Sequence, residues 1–155
     1  MKKKLIILTG PTAVGKTDLS IRLARTVGGE IISADSMQVY RRMDIGTAKI
    51  RPEEMDGVRH HLIDILEPTE SFNAFLFKEY ALKAANEIWE RGSIPIIVGG
   101  TGFYIQTLLY DIEFAKSDEN DGIRDELNKL YEEHGAAFLH DMLAKVDPEY
   151  AAEVH

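Results

Sequence analysis

Residues 10–17 read GPTAVGKT, the pattern G-x-x-x-x-G-K-[ST], and they follow directly on the apolar run Leu5–Thr9. A loop of this kind belongs between a strand and a helix. Gly10 and Gly15 let the backbone fold so that consecutive N–H groups converge, and Lys16 adds a point charge. The helix that starts at Thr17 aims its positive end at the same spot. The segment from Gly10 through Pro11, Thr12, Ala13, Val14 and Gly15 to Lys16 and Thr17 is therefore read as a cradle for a chain of phosphates. The Thr17 hydroxyl is placed to hold a Mg²⁺ that bridges phosphate oxygens.

The rest of the chain supplies the scaffold such a loop needs. Leu5–Thr9 has no alternation, which predicts a strand buried on both faces of a parallel sheet. Leu19, Leu23 and Val27 predict a helix from Thr17 to about Val27, stopped by Gly28-Gly29. A strand over Glu30–Ala34 then ends at Asp35, and His61–Ile65 reads as a further short strand. Ser71 is the expected cap of a helix running to about Arg91, with Gly92 as its stop. Ile94–Val98 is the next buried strand, running into GGTG and a short helix from about Phe103 to Leu109. The alternation is α/β: a phosphate-loop parallel sheet with helices on both faces. Between Met37 and His60 the pattern is polar and irregular, as in long surface segments that serve ligands.

After Tyr110 the character changes. KSDENDG (116–122) is a polar connector, followed by helical patterning over Ile123–Glu133, again over Ala136–Leu143, and by a new start at Asp147-Pro148. Residues 1–111 are thus expected to form the α/β core, and residues 112–155 the beginning of an all-helical element. A length of 155 residues, 45% of them hydrophobic, suits one such core with an appendage.

The chemistry expected at the loop depends on where the acidic residue stands. A nucleotide hydrolase usually carries a second apolar strand ending in an acid that organises Mg²⁺. Here IPIIVGGTG ends in glycines and Thr101, and the acid is Asp35, at the end of the strand that follows the loop helix. The carboxyl ends of neighbouring strands share one crevice in such a sheet. Asp35, Thr101 and the phosphate loop are therefore predicted to face a common pocket, with the carboxylate acting on an acceptor beside the phosphates. On spacing alone Asp35 also reads as a turn or capping aspartate, Thr101 as a helix N-cap, and Ser36 and Gln38 as loop polar groups. His60 and His61 are adjacent on a strand and point to opposite faces, so no joint metal site is expected.

Composition narrows the classes further. With no cysteine there is no disulfide framework and no thiolate site. The N-terminal MKKKLIILTG opens straight into the loop, unlike a signal peptide, and no stretch is apolar enough to span a bilayer, so a cytoplasmic protein without a membrane partner is expected. The net charge of −8 leans against nucleic acid, whose phosphates draw basic surfaces.

Four motifs in order, GPTAVGKT, DSMQVYRRMDIGTAK (35–49), HHLIDI (60–65) and RGSIPIIVGGTGFY (91–104), resemble the tRNA dimethylallyltransferase, or tRNA isopentenyltransferase, family, from Leu5 to the end of the chain. That resemblance implies a nucleotide-kinase-like core carrying a helical insertion that grips the anticodon stem-loop, with residues 112–155 as its start. It implies transfer of a dimethylallyl group from dimethylallyl diphosphate to the exocyclic amine, N6, of the adenosine next to the anticodon, with Mg²⁺ as cofactor and release of diphosphate. Asp35 then matches the base, Lys16 stabilises the departing charge, and Thr101 helps position the diphosphate and the base. Ser36, Met37 and Gln38 match the adenine-reading segment, and Arg124 a tRNA-contacting arginine. Relatives in that family are longer, and PEYAAEVH falls where the insertion would continue toward a remaining core strand and a basic tail, a half that would offset the acidic balance. A fragment with weak tRNA binding and little activity is expected, and a monomer at full length. A small-molecule or nucleotide kinase, a prenyl transferase acting on free adenine nucleotides, and a non-catalytic diphosphate binder are the competing readings.

Overall fold

A computed structural model describes residues 3–110, 112 and 121–154 of the chain. It divides into two compact units, Met1–Glu113 and Phe114–His155. The first unit runs β1 (Ile6–Thr9), α1 (Lys16–Val27), β2 (Gly29–Ser33), a 3₁₀ turn (Pro52–Met55), β3 (His60–His61), α2 (Ala74–Glu90), β4 (Ile94–Gly99) and α3 (Gly102–Leu109). Its four strands form one parallel sheet in the order β1-β4-β2-β3.

The register explains why helices cover both faces. Ile31 lies opposite Ile96 and Ile32 opposite Ile97, so strand alternation sends one pair to each side of the sheet. Ile31 and Ile96 pack with Ile21 and Ala24 of α1, joined by Ile50 and Val58. On the other side α2 packs on β2 and β4 and buries Phe77, Ala81, Ala85 and Ile88. All four isoleucines are buried, as a parallel sheet covered on both sides requires.

Several expectations are corrected. β1 is half-buried rather than enclosed, because among the described residues it stands at the sheet edge, paired with β4 alone. Helix α2 is capped by Asn73, whose Oδ1 accepts from Leu76 N at 3.0 Å, and not by Ser71. Phe72, between them, docks against Tyr80 and Tyr104 before the helix begins. The strand expected over His61–Ile65 is only His60–His61, since Leu62 (φ 62°) and Asp64 (φ 53°) leave the extended region. The segment from Met37 to His60 is not a plain surface loop: Val39, Ile50 and Val58 are buried.

At the end of the sheet away from the phosphate loop, Glu30 of β2 accepts from Arg91 Nε (3.0 Å) and Nη2 (2.8 Å) and from His61 Nε2 (2.8 Å). The Arg91 hydrogen bonds outweigh the cost of burial and hold the Glu30 carboxyl at about 2, below its ordinary 4.5. A carboxylate depressed in this way stabilises the fold fully above the unfolded value, and that contribution is lost as pH falls from about 4.5 toward 2. Arg91→Met is expected to lower stability at neutral pH and to flatten this acid limb, as read from urea midpoints across pH 2–6 set against the parent chain.

In the second unit α4 (Asp121–Val146) breaks at Gly135, whose φ of 80° and ψ of 178° no helix accommodates. The short α5 (Pro148–Ala151) begins as expected, with the Asp147 side chain accepting from Tyr150 N at 2.9 Å and Pro148 in the first turn. His140 Nε2 donates to the carbonyls of Ala151 (2.9 Å) and Val154 (3.2 Å) and so ties α4 to α5. Among the described residues no helix is long and apolar enough to cross a membrane.

Candidate active site

Three parallel strands end together, and their ends are locked at one glycine. Thr9 lies opposite Gly99, and Ser33 opposite Val98. Ala34 N donates to the Val98 carbonyl at 2.8 Å, and Thr101 N to the Ala34 carbonyl at 3.4 Å. A Cβ on Gly99 would lie 2.2 Å from the Ala34 carbonyl oxygen and 2.8 Å from the Ala34 Cβ. Only glycine permits that approach. Its consequence is that Asp35 and Gly100 leave the sheet side by side. A Cβ on Gly100 would in turn come within 3.7 Å of the Gly10 carbonyl oxygen, so the phosphate loop starts beside both.

The loop itself has left-handed residues at Ala13 (φ 64°) and Gly15 (φ 83°), the alternation that turns successive amides into an anion nest. Gly15 also stands at the N-terminus of α1, where the helix dipole adds positive potential. The Lys16 ammonium donates to the carbonyls of Gly10 (2.7 Å) and Pro11 (2.5 Å), folding its charge across the mouth of the loop.

A cleft of about 530 Å³ opens here, within the range that holds a small ligand. Thr12, Ala13, Gly15, Lys16 and Thr17 line it from the loop side. Asp35, Ser36, Met37 and Gln38 line it from the end of β2. The remaining sequence-derived candidates fall outside its lining: Gly10, Pro11 and Val14 within the loop, Thr101 at the N-cap of α3 one residue beyond the lining Gly100, and Arg124 on α4 in the second unit. The Thr101 side chain makes no capping hydrogen bond. Residues not singled out individually in the sequence also contribute: Gly46, Thr47 and Ala48 at the rim, within the Met37–His60 segment expected to serve ligands, and Ile50, Ile63 and Val98 as an apolar wall. The small side chains of the GTA triplet were the available signal for a close approach; the apolar wall is drawn from scattered positions and left none.

Polar groups in the cleft are individually oriented. Asp35 Oδ1 accepts from Met37 N (2.8 Å) and Gln38 N (3.2 Å), and Oδ2 has no hydrogen-bond partner among the described residues. One oxygen thus builds the turn, as the sequence allows, while the other remains open to the cleft. Gln38 Oε1 accepts from Ser33 Oγ at 3.2 Å, and Nε2 donates to the Ala48 carbonyl at 3.2 Å. His60 Nδ1 donates to the Val58 carbonyl at 2.9 Å, and burial pushes its imidazole below the ordinary value, which keeps it neutral near pH 7. Burial likewise pushes the Tyr104 hydroxyl up, with Tyr40 and Asp35 near enough to add to the effect. Chemically, the cleft sets a cationic loop of convergent amides against an Asp35 side chain with an open oxygen and an apolar wall.

The family model described as IPP transferase matches residues 38–155. The chain belongs to the IPP transferase family. It is 60% identical over 151 residues to the tRNA dimethylallyltransferase of Lachnoclostridium phytofermentans, covering 97% of this chain and 48% of that protein. To the tRNA dimethylallyltransferase of Geobacillus thermodenitrificans it is 52% identical, covering all of this chain and 49% of the relative. Among solved structures, the full-length tRNA isopentenylpyrophosphate transferase of Bacillus halodurans superposes with a TM-score of 0.73 at 50% identity, over 99% of this chain and 51% of that one. A eukaryotic dimethylallyltransferase acting on tRNA superposes with a TM-score of 0.86 at 38% identity, over 99% of this chain and 38% of that one. The chain spans about half the length of the curated relatives it matches.

Proposed function

We propose that the full-length protein transfers a dimethylallyl group from dimethylallyl diphosphate to N6 of the adenosine beside a tRNA anticodon, and that this chain holds its donor cradle and general base. The observation that carries this is the shared cleft, in which Lys16 and Thr17 stand on one side and the open oxygen of Asp35 on the other. The bond from the allylic carbon to the diphosphate oxygen breaks, because positive charge spreads over the allyl unit once the departing negative charge is stabilised. The N6 lone pair forms the new C–N bond, and the N6 proton passes to Asp35. Lys16, the amides of residues 13–16 and the N-terminus of α1 hold the diphosphate as it leaves. The wall of Ile50, Ile63 and Val98 suits a five-carbon apolar tail, and Ser36, Met37 and Gln38 are placed to meet the adenine. Thr101 follows Gly100 at the same strand end and helps position the reactants. Since the base must reach a crevice between strand ends, it leaves its stack. The second unit is read as the start of the insertion that grips the anticodon stem-loop, with Arg124 as one of its contacts.

A Mg²⁺ fits this donor set. Among the described residues no group of three or more His, Cys, Asp or Glu could cage a metal, but Thr17 lines the cleft at the position whose hydroxyl reaches Mg²⁺ in such loops, and Mg²⁺ keeps several waters and draws ligands from substrate phosphates. When bound, the ion neutralises charge on the diphosphate; Thr17 would hold it.

The test is transfer from labelled dimethylallyl diphosphate to an anticodon stem-loop, run on this chain extended to the length of its relatives. ATP with Mg²⁺ serves as the competing donor in calorimetry. Tight ATP binding with no affinity for the prenyl diphosphate would replace this reading with a kinase. Lys16→Met is expected to slow transfer by on the order of 10²–10³-fold, because it removes a charge aimed at the leaving group. Calorimetry should also show weakened binding of inorganic diphosphate to the 155-residue chain.

A further inference from the structure

Lys49 lies outside the reactions just described, yet its charge is enclosed and fully hydrogen-bonded. Its side chain is 4% exposed, and its ammonium makes three hydrogen bonds: to the Tyr40 carbonyl (2.7 Å), Asp44 Oδ1 (2.8 Å) and Asp64 Oδ1 (2.6 Å). Every N–H of the group is used. Burial alone would lower its pKa, but the hydrogen bonds to Asp44 and Asp64 outweigh that and raise it, so the side chain is cationic at neutral pH.

The three acceptors belong to two separate stretches of backbone. Tyr40 and Asp44 enclose the start of the segment that runs to Ala48, and Asp64 sits in the turn after β3 at a left-handed φ of 53°. Main-chain bonds knit the same two stretches: Asp64 N donates to the Gln38 carbonyl (3.1 Å), Ile65 N to the Val39 carbonyl (2.9 Å) and Arg41 N to the Leu66 carbonyl (2.8 Å). Lys49 closes this clasp from within, while Arg41 donates Nε to the Asp64 carbonyl (2.9 Å) and Arg41 and Arg42 pair with Glu67 on its exposed side. What the clasp carries is the rim of the cleft, Gly46-Thr47-Ala48, whose last two carbonyls receive Gln38 Nε2 at 3.5 and 3.2 Å. The carboxamide is thereby fixed with its nitrogen toward the rim and its oxygen toward Ser33.

We propose that Lys49 is a positioning residue for acceptor recognition, acting through the 44–48 rim to hold the Gln38 carboxamide in one orientation. This rests on the reading of the cleft as an adenine-acceptor site; the orientation of Gln38 does not. An amide free to flip presents a donor where an acceptor is needed half the time, and a purine edge is read by that distinction. The donor cradle lies on other elements and is untouched by the clasp.

Two measurements separate the claims. In the 155-residue chain, ¹⁵N spectra should show the Gln38 side-chain proton pair displaced from its free-glutamine shifts and protected from solvent exchange, and in Lys49→Met both protons should move to the free-glutamine shifts and lose that protection while the affinity for inorganic diphosphate stays unchanged. In the full-length protein, Lys49→Met should raise KM for the stem-loop by about ten- to a hundred-fold, leave KM for dimethylallyl diphosphate as it was, and have no further effect in a Gln38→Ala background. Asp44→Ala should reproduce the defect in milder form and Asp44→Asn, which keeps an acceptor, should not; this pair carries the test if Lys49→Met does not fold. An unchanged Gln38 resonance in folded Lys49→Met or Asp44→Ala overturns the proposal, as does an equal rise of both KM values. Failure of the parent protein to transfer at all, with the Gln38 resonances responding as stated, would instead count against the prenyl-transfer reading alone.

Discussion

Asp35→Asn is expected to cut prenyl transfer by about 10²–10⁴-fold, the contribution of a positioned general base, while diphosphate binding stays close to that of the parent. The reason is geometric. Asparagine keeps an oxygen for the two amides of Met37 and Gln38, so the turn survives, and it replaces only the open Oδ2 with an NH₂ that cannot take a proton. Asp35→Ala removes both oxygens and should additionally loosen the turn that presents Ser36, Met37 and Gln38. Single-turnover transfer on the full-length protein reads the first effect; calorimetry with inorganic diphosphate on this chain reads the second. If Asp35→Asn lost diphosphate binding as well, the residue would be serving the fold or a metal instead of the acceptor.

Gly99→Ala is expected to have the largest effect on stability of any single methyl addition in the first unit. Overpacking in a core typically costs about 1–3 kcal/mol when side chains can shift. Here the obstacle is the Ala34 main chain, 2.2 Å from the new carbon at its oxygen and 2.5 Å at its carbonyl carbon, so β2 and β4 must part. A cost at or above the upper end of that range follows, read as a drop in thermal midpoint by circular dichroism. Gly102→Ala is the control: nothing lies within 4 Å of its Cβ position, and it begins α3. Equal stability of the two variants would show that the strand ends are not locked as described. Any Gly99→Ala protein that does fold should transfer poorly, since Asp35 and Gly100 are displaced from one another.

Much of this organisation is written in local pattern. GPTAVGKT fixes a strand, a nest and a helix start within a dozen residues, and the structure has all three. The apolar runs and their glycine stops mark β2, β4 and α2, and Gly135 and Asp147-Pro148 segment the second unit as the helical spacing implies. What escaped is what depends on distant partners. Ser71 and Asn73 are equally good caps two residues apart, and the docking of Phe72 on Tyr80 and Tyr104 decides between them. Val39, Ile50 and Val58 are single apolar residues in a polar stretch, with no period to betray that they enter the core. Lys49 reads as a surface lysine until Asp64, from another stretch of the chain, is seen beside it. The site followed the same division: the meeting of Asp35 and the loop was legible because strand ends converge by rule, and the Met37–His60 segment was legible as ligand-serving, whereas which of its residues form the rim needed the tertiary fold.

The carbonyl contacts of Lys16 bear on how an anion is received at the loop. Its ammonium has two short bonds to the carbonyls of Gly10 and Pro11, so under the proposed function a diphosphate would displace neutral acceptors from it. Such an exchange is driven by the stronger, charge-assisted bond to phosphate, and it screens out weak anions that cannot outcompete a peptide oxygen. Chloride or acetate at ordinary concentrations should therefore leave the loop closed on itself, and the lysine should swing only for a polyanion.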